Sequence, residues 1–326
     1  MIGSYPKVAE EAYGTTVIGA INRWQKKALS DQELERVFQD VTQQVIAEQE
    51  SLGLDIITDG QIRWEDLVTS VVSQWSNIEI NGLTRYFNNN VYYRKPIITG
   101  KPQRKAQRLV DQFTVARSVV KRATLKAVLP GPYTVAQLAE DRAFRNDGFF
   151  LQEIAQLLRQ EAEALQHAGA TVIQIDEPAL AFGQPKSREV LSALHMVVDN
   201  VQAAKVLQIY FGPPQLPIEA LLDAEIDGVG LDFVEAPQLV ETIQRLKWPK
   251  DKGLGVGCMD ARNTKVERPA ALKQLWRRLA SVVAPEQLYV SPNCGLEFLP
   301  HDRVVTKLTT LVSAAREFAK ECLPCS

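Results

Sequence analysis

Histidine, methionine and cysteine are scarce, with three, three and four copies among 326 residues. Cys258, Cys294, Cys322 and Cys325 gather toward the end of the chain, too few and too clustered for a disulfide framework, so reduced thiols are expected. No apolar run approaches the ~18 residues that a membrane helix needs. The opening Met1-Ile2-Gly3-Ser4-Tyr5-Pro6 lacks a charged-then-apolar signal segment, which predicts a cytoplasmic protein. Charge of one sign is also missing: 37 basic against 39 acidic residues leave a net charge of -2, which argues against nucleic acid or an anionic membrane as partner. There is no Ser/Gly linker, low-complexity tract or obvious repeat to force a domain boundary.

What the chain does have is 45% hydrophobic residues over a length normal for one large α/β barrel. Ser30 and Glu33 form a capping-box pattern, and Leu34, Val37, Phe38, Val41, Val45 and Ile46 follow at helical spacing. Short apolar runs closed by turn residues predict strands at 54–57, 125–129, 171–175, 205–209, 228–231, 254–257 and 288–291, and a stub at Ile2-Gly3 makes eight. Most gaps hold a crossover helix, as in Phe149 to His167. Eight βα units predict an α/β fold, a single (β/α)8 TIM barrel, with residues 1–326 as one domain. The alternative, an open doubly wound sheet, usually announces itself with a Gly-rich first turn, and Gly3-Ser4-Tyr5-Pro6 is not one. The rhythm breaks near residues 83–105, where Arg85-Tyr86-Phe87 and Val91-Tyr92-Tyr93 flank Asn88-Asn89-Asn90 as in an inserted β-hairpin.

Active sites of such barrels collect at the carboxyl ends of the strands. The residues there are Ser4, Asp59 with Gln61, Tyr133, Asp176 with Glu177, Tyr210, Asp232, Cys258 with Asp260, and Cys294. Each alone reads equally well as a helix cap or, for a thiol, an inert buried group. Asp176 follows a β-favouring run and precedes Glu177-Pro178, which places a carboxylate suited to an ammonium at a strand end. Cys258 and Cys294 end adjacent predicted strands and Asp232 ends the one before, so the three could converge on a metal. The basic set Lys95, Lys101, Arg104, Lys105 and Arg108 reads either as a steering patch for an anionic carrier or as a solvated face.

Ile2-Gly3-Ser4-Tyr5-Pro6, Gln174-Ile175-Asp176-Glu177-Pro178-Ala179-Leu180 and Ser291-Pro292-Asn293-Cys294-Gly295-Leu296 resemble motifs of the cobalamin-independent methionine synthases, in order and over almost the whole chain. The resemblance implies methyl transfer to homocysteine or a related thiol, as in a 5-methyltetrahydropteroyltriglutamate-homocysteine methyltransferase. Zinc would hold the thiolate, and a methylated folate or corrinoid carrier would be the donor. It implies that Ile2 and Ser4 hold the amino-acid carboxylate, that Asp176 and the position of Gln61 face the ammonium, and that Cys294 and Asp232 are catalytic zinc ligands. The family's His-x-Cys ligand pair is absent from Gln208-Ile209-Tyr210-Phe211-Gly212, and Arg262 stands where a proton-transferring histidine is usual. Tyr210-Phe211-Gly212, Gly230-Leu231-Asp232-Phe233-Val234 and Asp260-Ala261-Arg262-Asn263 resemble instead the zinc-free amino-terminal barrel of the long synthases. Three readings follow: a single-barrel methyltransferase, a non-catalytic amino-acid- or folate-binding barrel or partner subunit, and an enzyme of this fold with a changed electrophile.

Overall fold

A computed structural model describes residues 2–6, 13–87 and 91–322. The strands are β1 Ile56–Ile57, β2 Ile78–Arg85, β3 Tyr92–Ile98, β4 Thr124–Leu125, β5 Ala127–Pro130, β6 Glu140–Asp141, β7 Val172–Asp176, β8 Ala204–Gln208, β9 Gly228–Asp232, β10 Gly253–Met259 and β11 Leu288–Pro292. The chain forms two compact units, one of Met1–Ile62, Val115–Leu125 and Leu231–Ser326, the other of Arg63–Thr114 and Lys126–Gly230.

In the first unit the helix Asp31–Ser51 begins as its sequence predicts. The Ser30 side chain accepts from the Glu33 N–H and the Glu33 side chain accepts from the Ser30 N–H. This helix buries Leu34, Val41, Val45 and Ile46 on one stripe. At its end Glu50 accepts the N–H groups of Lys121, Arg122 and Ala123 at 2.9, 2.6 and 3.0 Å, which fixes the turn before β4. Strands β1 and β4 pair in parallel over two rungs, and β10 pairs in parallel with β11 from Leu254↔Leu288 onward. Ile2-Gly3 forms no strand, contrary to expectation. The Thr58 hydroxyl, rather than a backbone N–H, donates to the Gly3 carbonyl, so no ladder propagates. The segment is still held on both sides, with the Tyr5 N–H donating to Gly60 and the Leu296 N–H to Ser4.

In the second unit β5, β7, β8 and the first three residues of β9 form a parallel ladder. The expected strand 125–129 is two strands. The chain leaves one ladder at Leu125 and joins another at Ala127, with Lys126 in neither. The hairpin is longer than its aromatic triplets suggested: β2 and β3 run antiparallel from Ile78↔Ile98 to Arg85↔Tyr92, and β6 joins β3 in parallel. Its Asn88–Asn90 turn lies outside the described residues, as does the Cys325 end of the tail pair with Cys322. Among the described residues no helix is long and apolar enough to cross a membrane.

Glu177, directly after β7, ties this unit together. Its fully buried carboxyl accepts from the N–H groups of Tyr133 and Thr134 at 2.9 and 2.7 Å and from the Thr134 hydroxyl at 2.6 Å, at the start of the helix Pro132–Leu138. Gly131 makes room, since a Cβ there would lie 2.0 Å from the Glu177 Cδ. Gly131→Ala should therefore cost about 3 kcal/mol by overpacking, read from denaturant midpoints. Burial, opposed by these hydrogen bonds, raises the Glu177 carboxyl from 4.5 to about 7. A group whose value is higher folded than unfolded favours the fold at low pH and loses that contribution as pH rises through the folded value. Relative to Glu177→Gln, wild-type stability should fall between pH 4.5 and about 7 and level off above; parallel curves would contradict this.

Candidate active site

Side chains alternate along a strand, so Gln174 and Asp176 of β7 share one face and Glu177 lies on the other. Asp176 is 3% exposed. Its Oδ1 accepts from the Gln174 Nε2 at 2.6 Å and its Oδ2 from the Tyr210 hydroxyl at 3.2 Å. The Gln174 Oε1 in turn accepts from the Lys126 Nζ at 2.5 Å. Burial lowers the Lys126 ammonium to about 8, against the opposing pull of Asp176. Register sets Gln208 of β8 beside Asp176. The Gln208 Nε2 is buried with no hydrogen-bond partner among the described residues, and its amide occupies the space that a side chain at Gly230 would fill. Tyr86 and Tyr210 pack edge-on against Phe211, and Phe87 stacks on Phe182 at 4.6 Å. Phe211 carries a φ of 75°, a strained conformation for a bulky residue, beside these rings.

The first unit holds the remaining candidates. The Ser4 hydroxyl donates to the Gln61 Oε1 at 2.8 Å, and Gln61 sits at φ 49° with its N–H on the Asp59 carboxylate. The Gln61 Nε2 is buried without a hydrogen-bond partner among the described residues. Such an amide offers a donor, which suits a carboxylate better than an ammonium. Ile2 is buried nearby in sequence, at 3% exposure.

Asp232 is fully buried at the end of β9 and serves its own turn. Its Oδ1 accepts the N–H groups of Val234 and Glu235, both at 3.0 Å, while the Asn293 Nδ2 lies 3.2 Å from each oxygen. Asn293 also accepts from the Ala261 N–H, joining the ends of β9, β10 and β11. The neighbouring Cys294 thiol is pushed well above its ordinary value by burial, with Glu297 and Asp232 adding and Arg262 opposing. Cys258 rises to about 12, chiefly by burial, and lies against Trp276 and the Ser291 backbone. The expected trio therefore does not gather: among the described residues no three His, Cys, Asp or Glu side chains form a group able to hold a metal. Zinc needs several ligands with free lone pairs aimed at one point, whereas Asp232 is engaged by its own turn and by Asn293. The residues present do not fit a zinc site.

Other candidates have structural duties. Lys95, Lys101 and Arg104 pair with Glu140, Glu153 and Glu161 at 3.3, 3.2 and 2.9 Å. His301 contacts Glu48 at 2.9 Å. The buried Lys307 bonds Glu267 at 2.7 Å, and Glu267 accepts the Asp260 N–H, so the ammonium anchors the loop that carries Arg262. Sequence reasoning missed Lys126, Gln174, Gln208 and Asn293. Polar residues inside apolar strands were the available signal.

A model of the family described as cobalamin-independent synthase, catalytic domain, matches residues 1–317. The methionine synthase of Sulfurisphaera tokodaii is 27% identical over 319 residues, covering 94% of this chain and 93% of that protein. The methionine synthase of Saccharolobus solfataricus is 29% identical over 318 residues, covering 94% and 95%. A B12-independent methionine synthase from Shewanella sp. W3-18-1, solved with selenomethionine, superposes with a TM-score of 0.84 at 21% identity, covering 100% of this chain and 98% of that one. That likeness is one of fold, α/β with a parallel-stranded sheet.

Two measurements follow from the thiol geometry. Peptide-resolved alkylation of the native protein at about pH 8, below the ordinary thiol range, should label Cys258 and Cys294 at least tenfold more slowly than after unfolding. Metal analysis after zinc loading and desalting should find well under one zinc per chain. Stoichiometric zinc, lost on Cys294→Ala and Asp232→Ala, would refute the misfit.

Proposed function

Because the chain belongs to the catalytic-domain family of cobalamin-independent synthases, we propose that it transfers a methyl group to the sulfur of homocysteine or a related amino-acid thiol, in methionine biosynthesis. The observation that carries this reading is the buried Asp176 carboxylate, aligned at the end of β7 by Gln174 and Tyr210. A carboxylate held in that way is preorganised for an ammonium. By motif, Ile2, Ser4 and Gln61 of the first unit are the remaining substrate-binding residues, and the spare amide donor of Gln61 suits a carboxylate. This departs from the family pattern, in which that position faces the ammonium.

The S–CH3 bond forms as the bond from methyl to its carrier breaks, and the thiol proton is released. A methylated folate or a methylated corrinoid fits as donor. Cys294 and Asp232 occupy the positions of catalytic groups by motif. With no group of metal ligands gathered there among the described residues and the carboxylate engaged, no step is routed through zinc. Residues 1–326 act as one (β/α)8 domain on this reading, supported by a family match over residues 1–317. The setting is cytoplasmic, with no nucleic-acid or membrane partner.

The test supplies homocysteine with methylfolate in one arm and a methylated corrinoid in the other. Methionine should form in one arm, and Asp176→Asn should lower kcat/KM at least about 100-fold, as expected for the loss of a buried charged partner. No methionine in either arm, together with methionine binding indifferent to Asp176→Asn, would overturn the reading.

A further inference from the structure

Nζ of Lys126 reaches Asp176 through a single relay. The ammonium donates to the Gln174 Oε1, which leaves the Gln174 Nε2 to donate to the Asp176 Oδ1. An ammonium cannot accept, so it dictates which end of the amide it meets, and the opposite end then faces the carboxylate. Lys126 can turn into this position because its backbone belongs to neither β4 nor β5. Lys126 is buried, at 9% exposure.

We propose that Lys126 is the resident counter-ion of Asp176: through Gln174 it keeps the carboxylate ionised and aligned while the amino-acid site is empty. Lys126 is thus a positioning residue, and the proposal rests on the reading of Asp176 as the ammonium ligand. A buried carboxylate without a nearby cation takes up a proton, and a protonated Asp176 cannot hold an ammonium. Burial already competes with Asp176 for control of the Lys126 proton, so the two groups feel one another. Tyr210 faces Asp176 directly, and Tyr86 and the back-facing Glu177 feel its charge. They are common to wild type and variants, so their own titration cancels in a comparison.

The experiment measures calorimetric affinity for methionine and for its analogue lacking the amino group, between about pH 5.5 and about pH 7.5, a range that spans the titration of an uncompensated buried carboxyl and stays below the Lys126 value of about 8. Wild type should vary by less than about threefold across that range for either ligand. Lys126→Met should lose at least about tenfold of its methionine affinity at the acid end relative to the alkaline end, with the desamino analogue unaffected. Lys126→Arg, which keeps the cation, should restore the flat profile. Gln174→Met breaks the relay while leaving Lys126 in place and should reproduce the Lys126→Met profile, so the idea does not depend on one variant folding. Thermal unfolding midpoints accompany each variant, because a general structural lesion would weaken both ligands at every pH. Flat profiles in Lys126→Met and Gln174→Met, with methionine binding lost in Asp176→Asn, would overturn the counter-ion role alone. Wild-type binding by Asp176→Asn would instead remove the ammonium reading on which it stands.

Discussion

Two adjacent carboxyls, Asp176 and Glu177, leave β7 on opposite faces because a strand alternates, and the second unit depends on the one that points away from the candidate site. Glu177 takes on the structural duty. It accepts three hydrogen bonds from the turn and helix that follow β5, in a space that only glycine at position 131 leaves open. Asp176 is thereby relieved of capping work and is held by side chains instead. The end of β9 lacks this division of labour. There Asp232 caps its own turn and binds Asn293, so its carboxylate is spent on architecture.

The same electrostatic logic governs both clusters and gives opposite outcomes. Buried acceptors and charges persist when donors of the right sign reach them, as the Lys126 and Gln174 relay does for Asp176. Around Cys294 the principal neighbours are acidic, so burial and charge together keep the thiol protonated. The cluster around Asp176 is a compensated network, whereas at Cys294 Arg262 alone opposes burial and the acidic neighbours.

Much of the fold was legible because strands and helices announce themselves by period and by caps. Ser30 with Glu33 is an example in which a four-residue pattern specified its own hydrogen bonds. The stub at Ile2-Gly3 was misread because a threonine hydroxyl can replace a ladder donor without leaving any trace in apolar spacing. Asp176 was legible from its motif, yet its partners were not. Lys126 and Gln174 lie 48 residues apart, and only the parallel register of β5 and β7 brings their neighbourhoods together. Likewise, spacing placed Cys258 near the end of its strand but could not say that its thiol faces Trp276.

The hairpin has a consequence for how the protein behaves in company. β2 is the outer strand of its three-stranded sheet, exposed along nearly its whole length, with Leu83 at 65% exposure. An outer strand with unpaired amides invites the edge of another chain. Glu79 and Arg85 interrupt this one with opposite charges, Gly82 weakens its extended run, and the ladder slips between Ile80 and Leu83. These features make β2 a poor template for intermolecular sheet growth, and they would be the first safeguards lost if the edge were made smoother and more apolar.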